Sequence, residues 1–149
     1  MMRRRSLLLA SSGVAASVLW VRTATATPEA MQAAVLRFTG GAQLRTGRIS
    51  LDISPLVENG NTVPVTLAVA SPMTAADHVR RLALFTERNP QPEVAVFHLS
   101  PAMGRAQVST RMRLATSQTV VALAELSDGS CWQQRIEVVV TLAACVEGG

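Results

Sequence analysis

From Arg48 to Leu142 the chain is a succession of short apolar–polar alternations cut by turn residues, and this pattern leaves few folds open. Arg48–Ile53 places Ile49, Leu51 and Ile53 on one face, and Thr62–Ala70 does the same with Val63, Val65, Leu67 and Val69. Further runs follow at Val79–Phe85, Glu93–Leu99, Arg105–Leu114, Gln118–Leu126 and Cys131–Leu142. A period of two marks a strand whose alternate side chains face a core. Turn residues separate the runs at Glu58-Asn59-Gly60-Asn61, Ser71-Pro72, Asn89-Pro90-Gln91-Pro92, Pro101 to Gly104 and Ser127-Asp128-Gly129. Short strands at this spacing predict an all-β, antiparallel sandwich. No helix-length pattern lies between them, which argues against a parallel α/β sheet. Thr74-Ala75-Ala76-Asp77 supports one helical turn at most.

One helix is expected, ahead of the strands. Thr27 offers a capping hydroxyl, Pro28 suits the first helical position, and Glu29 follows. Met31, Val35 and Phe38 recur at helical spacing until Gly40-Gly41 ends the pattern. The reading is a short amphipathic helix over Pro28–Thr39 that packs on the main body.

The first 26 residues have a different character. Arg3-Arg4-Arg5 precede an apolar stretch from Leu7 to about Val21, and Ala24-Thr25-Ala26 supplies a cleavage box. That is the pattern of an export signal, and the consecutive arginines before Ser6 fit the twin-arginine type. The stretch is short for a membrane span and is interrupted at Ser11, Ser12 and Gly13. The expectation is a signal over 1–26, cleaved after about Ala26, giving a periplasmic protein with no membrane attachment. The signal also holds Arg3, Arg4, Arg5 and Arg22, four of the fourteen basic residues, while all ten acidic residues follow it. The remainder balances ten against ten, so net charge makes no case for nucleic acid.

Few residues could carry chemistry. His78 and His98 share no ligand spacing, and a zinc site needs three or four ligands. They read as a surface histidine and an edge-strand histidine. No G-x-S-x-G elbow, phosphate loop or dinucleotide fingerprint occurs. No catalytic residue, cofactor or metal is expected, and the chain does not look like an enzyme. Asn59-Gly60 suits a tight turn because glycine tolerates positive φ, and Pro64 marks a strand start or an edge; the stretch reads as turn geometry, with partner docking as the other option.

Two cysteines remain. Cys131 opens the last strand beside Trp132 and reads as a small core residue. Cys145 follows that strand on a tail of small residues, Ala143-Ala144 before it and Val146-Glu147-Gly148-Gly149 after it. If the intervening run is extended, the two lie roughly 45 Å apart, too far for a disulfide, whose Cα atoms need to approach within about 7 Å. The spacing leaves Cys145 open between a covalent attachment point and a cysteine tucked against the sandwich or paired with another chain. Glu147 and the terminal carboxylate disfavour its thiolate, so any activating cation would come from a partner.

The chain resembles SoxY, the family of sulfur-carrier subunits of bacterial thiosulfate oxidation. The resemblance rests on E-N-G-N-T-V-P-V at 58–65, S-P-M-T-A-A-D-H-V at 71–79 and E-R-N-P-Q-P-E-V-A-V-F at 87–97. It continues in S-T-R-M-R-L-A at 109–115, Q-T-V-V-A-L-A-E-L-S-D-G at 118–129 and V-T-L-A-A-C at 140–145. It implies an immunoglobulin-like sandwich over 27–142, a carrier arm over 143–149, and Cys145 as the residue that holds the substrate covalently. It also implies a heterodimer with SoxZ and transient encounters with the haem enzyme SoxAX, with SoxB and, where present, SoxCD. The family tail is usually Gly-Gly-Cys-Gly-Gly. Here Ala143, Ala144, Val146 and Glu147 stand in the collar, and glycine returns only at Gly148 and Gly149.

Overall fold

The computed structural model describes residues 25–144. Its most buried strand explains the rest of the architecture. Strand β8 (Gln118–Leu126) carries Val120, Val121, Ala122, Leu123 and Ala124, all with no exposure. It is apolar on both faces because both are covered. Val120, Ala122, Ala124 and Leu126 face the second sheet, while Val121 and Leu123 face a helix. Strand β5 (Val79–Thr86) divides in the same way, with Leu82 and Leu84 inward and Ala83 and Phe85 under the helix.

That helix is α1 (Pro28–Thr39), on the bounds the sequence predicts. The Thr27 hydroxyl accepts from the Ala30 N–H at 3.1 Å, and Gly40 ends the helix at φ 62°, its N–H bonding Leu36 O. Left-handed backbone of this kind is the usual reason for glycine after a helix. Met31, Ala34 and Phe38 are buried, and the Phe38 and Phe85 rings meet edge to face at 5.9 Å. Arg81 pins the helix end to the sheet. Its guanidinium donates to Phe38 O at 2.9 Å, lies 4.2 Å from the Phe38 ring centre and pairs with Glu125.

The remaining strands are β1 (Leu44–Arg45), β2 (Ile49–Asp52), β3 (Leu56–Asn59), β4 (Val63–Val69), β6 (Glu93–His98), β7 (Gln107–Met112) and β9 (Cys131–Leu142), with a short 3-10 turn at Pro101–Met103. One sheet runs β1-β9-β8-β5-β6, with β3 also on β9, and the other runs β2-β4-β7. Ile49, Leu51, Val63, Val65 and Leu67 of the smaller sheet fill the space beneath β5 and β8. Gln134 ties the layers together by accepting from the Leu51 N–H at 2.9 Å. The fold is thus the expected all-β, immunoglobulin-like sandwich with a short N-terminal helix.

Two strands are absent from the sequence pattern. Residues 44–45 and 56–59 are too short for a periodicity to show, and both join β9 in parallel. Pro64 lies in the middle strand of the three-stranded sheet, yet the proline rule holds locally. The ladder from β2 stops at Asp52–Thr66, so Pro64 has only Arg111 of β7 across from it. His98 is exposed on edge strand β6, and His78 is half-buried with Nδ1 3.0 Å from Thr74 O.

Candidate functional site: the root of the C-terminal tail

Strand β9 sets the geometry. Its N-terminal part pairs with β8 as far as Gln118–Val138. Beyond that point β8 has ended, and β9 is taken up on its other side by β3, with Leu56 beside Val139, Val57 beside Val140 and Asn59 beside Leu142. Val139 N–H bonds Pro55 O at 2.8 Å. Ser117 Oγ stands in for the missing strand by accepting from Val140 N–H at 2.8 Å. Thr141 Oγ1 donates to Glu58 O at 3.1 Å.

Past Leu142 the chain is held by two loops. Gly60 N–H donates to Leu142 O at 2.9 Å, Leu114 N–H donates to Gly60 O at 2.8 Å, and Ala144 N–H donates to Leu114 O at 3.2 Å. Ala143 is exposed and Ala144 is buried. Gly60 is buried at the centre of this relay, and a Cβ there would lie 2.4 Å from Leu114 O and 3.0 Å from Ala144 N. Among the described residues the positive-φ glycines are 40, 41, 47, 104 and 129. Gly60 is not among them, so what the turn demands of it is room, not a left-handed backbone. Asn59 shapes the turn by accepting at Oδ1 from the Asn61 N–H at 2.9 Å.

The 113–116 loop is held in turn by two buried amides. Asn89 Nδ2 donates to Arg113 O at 2.8 Å, and Asn89 Oδ1 accepts from Ala115 N–H at 3.0 Å. Gln118 Nε2 donates to the same Oδ1 at 2.8 Å and to Thr116 O at 3.1 Å, while its Oε1 accepts from Arg88 N–H. Asn89 and Gln118 are 8% and 3% exposed, so such groups need partners and find them here. Ala26, also buried, donates its N–H to Asn89 O at 3.0 Å. Pieces of five separated motifs therefore meet at one end of the sandwich: 58–61, 87–90, 113–115, 117–118 and 140–144.

Cys145, the candidate attachment residue, lies outside the described residues, as do Val146, Glu147, Gly148, Gly149 and the segment 1–24. Of the expected arm, the structure describes Ala143 and Ala144 alone. Cys131 is a buried free thiol at the opposite end of β9. Burial raises its pKa above the ordinary thiol value of 9.0, and Glu125 and Asp128 add to this against the opposing charge of Arg81. It is a poor nucleophile, as its place in the core suggests. Among the described residues no cluster of His, Cys, Asp or Glu could hold a metal ion, and no helix is long and apolar enough to cross a membrane.

Sequence reasoning read Asn89 as a turn residue, the stretch holding Gly60 as a turn or a partner-docking segment and Gln118 as the start of a strand, and gave Ser117 no role. The available signal was the polar residue at the head of an apolar strand, Gln118, and the Asn-Pro dipeptide at 89–90.

The sandwich is of a class found in solved superoxide reductases. The superoxide reductase (neelaredoxin) of Ignicoccus hospitalis aligns with a TM-score of 0.57 at 18% identity, over 77% of this chain and 94% of its own. The superoxide reductase of Nanoarchaeum equitans aligns with a TM-score of 0.53 at 12% identity, over 64% of this chain and 100% of its own. At these identities the likeness is one of fold alone. No curated protein matches the chain. The family is defined by its sequence: residues 35–145 match the model of the sulfur oxidation protein SoxY, and the chain belongs to that family.

Proposed function

We propose that the protein is a periplasmic sulfur carrier that holds thiosulfate-derived intermediates on Cys145 and has no catalytic activity by itself. The observations that carry this reading are the family match, which runs to residue 145, and the backbone relay that ties Leu142 and Ala144 to the loops at Gly60 and Leu114. Cys145 is joined directly to the tied Ala144. The other cysteine is buried and has a raised pKa, which leaves Cys145 as the thiol suited to loading.

In this reading a SoxAX-like haem partner accepts two electrons as the Cys145 thiol joins thiosulfate, giving a Cys–S–S–SO3⁻ adduct and one released proton. A SoxB-like partner adds water to the terminal sulfonate, releasing sulfate and leaving a cysteine persulfide. A SoxCD-like partner, where present, oxidises the remaining sulfane sulfur. The 1–26 segment acts as a twin-arginine export signal, and a SoxZ-like subunit completes a heterodimer. Residues 143–149 form the arm, short of glycine relative to the usual collar.

The test is mass spectrometry of the protein after incubation with thiosulfate and the coupling partners. A thiosulfate-derived mass at Cys145 is expected, and Cys145→Ser is expected to abolish it. An adduct formed equally well by that variant refutes the reading.

A further inference from the structure

We infer that Gly60 is a positioning residue for the carrier cysteine: with Leu114 it forms a backbone clamp on Leu142–Ala144 that fixes the residue to which Cys145 is joined. This rests on the reading of Cys145 as the loaded residue. Gly60 uses both of its backbone groups in the clamp, its N–H on Leu142 O and its C=O on Leu114 N–H, and Leu114 passes the tie on to Ala144 N–H. The close approach requires glycine, since any Cβ at 60 would overlap Leu114 O at 2.4 Å. The overlapping atom is backbone, and it is braced from behind by Asn89 through Arg113 O and Ala115 N–H. It cannot swing aside as the end of a flexible side chain would.

The clamp fixes the point to which Cys145 is joined. With it closed, that point is the tied Ala144. With it open back to Leu142, residues 143 and 144 are released, at roughly 3.5 Å each of extended chain. A partner that must take Cys145 into its own site then has more chain to order on binding. Ordering of that kind weakens association. The clamp thus acts on encounter with the loading enzyme and not on the chemistry at sulfur.

Two substitutions open it from opposite sides. Gly60→Ala inserts the overlapping Cβ, and Ala144→Pro removes the N–H that Leu114 O accepts, at a position beyond the end of the last strand. Amide hydrogen exchange in the full chain is expected to show the residue-144 N–H protected in the native protein. In Gly60→Ala that protection falls by about tenfold or more while the Leu123 amide stays protected. Loading with thiosulfate by the coupling partner is expected to show KM for the carrier raised by about threefold or more in both variants, with kcat retained. Unchanged protection of the Ala144 amide in Gly60→Ala overturns the clamp. Lost protection with an unchanged KM in both variants overturns the positioning role. If the native protein takes no load at Cys145, the carrier reading fails, and the exchange result alone then decides the clamp.

Discussion

Removing the Asn89 side chain tests the assembly of the tail-bearing end most directly. Asn89→Ala deletes three hydrogen bonds at once, to Arg113 O, Ala115 N–H and Gln118 Nε2. A net intramolecular hydrogen bond contributes about 1 kcal/mol, and a buried group left without a partner costs about 1–3 kcal/mol. Gln118 keeps Thr116 O, so its loss is the smallest. The sum is about 3 kcal/mol, which for a domain of this size lowers the melting temperature by about 10 °C. Urea unfolding followed by fluorescence of Trp132 measures it, and the tryptophan lies at the opposite end of β9 from the substitution, so it reports global unfolding. Asn89→Asp sharpens the test. At neutral pH its carboxylate oxygen faces Arg113 O where an N–H₂ stood, and the variant is expected to be at least as unstable as alanine. An Asn89→Ala protein within about 0.5 kcal/mol of native stability would refute the view that this amide network holds the loop.

Three further outcomes are expected. A double-mutant cycle between Arg81→Ala and Glu125→Ala should return a coupling of about 1–2 kcal/mol, since both groups are largely shielded at 29% and 19% side-chain exposure; additive losses would mean the pair does not anchor α1. Cys131 should resist alkylation at pH 8 in a Cys145→Ser protein without denaturant. Because its pKa is raised in the fold, the stability it contributes is complete below pH 9 and falls away as pH rises through the folded value, so native protein should weaken above pH 9 more than Cys131→Ala does. Ser117→Ala removes the acceptor of Val140 N–H and should cost about 1–2 kcal/mol in urea unfolding, with faster exchange at residues 139–142 than in β8.

The strands and the helix were legible because period-two and period-3.6 patterns report which face is buried. Gln118–Leu126 and Cys131–Leu142 were found on their observed bounds. The pairing of β1 and β3 with β9 was not legible. Strands of two and four residues form because β9 offers them unpaired backbone, and nothing in Leu44-Arg45 or Leu56-Val57-Glu58-Asn59 itself demands extension. The site was legible in part. A cysteine on a tail of small residues could be noticed, but the loops that hold the tail contribute backbone groups, and backbone hydrogen bonds leave little trace in residue type. Gly60 is the exception, and its signal was ambiguous. An Asn-Gly pair reads first as a turn needing positive φ, whereas this glycine is needed for the carbonyl that sits where its side chain would be.

The clamp also gives physical sense to the alanines that replace the family's usual glycines before the cysteine. A glycine collar suits a segment meant to be free, because glycine loses the most conformational entropy when ordered. The described part of this tail is ordered: Ala144 is buried and its N–H is bonded. Neither Ala143 nor Ala144 has positive φ, the one such non-glycine residue among those described being Met73. Alanine at a position with compatible backbone stabilises the ordered form over glycine by about 0.4–1 kcal/mol, chiefly by restricting the free chain. Two such positions shift the balance toward a closed clamp. The substitutions that remove freedom upstream of Cys145 therefore favour the tied form of Leu142–Ala144.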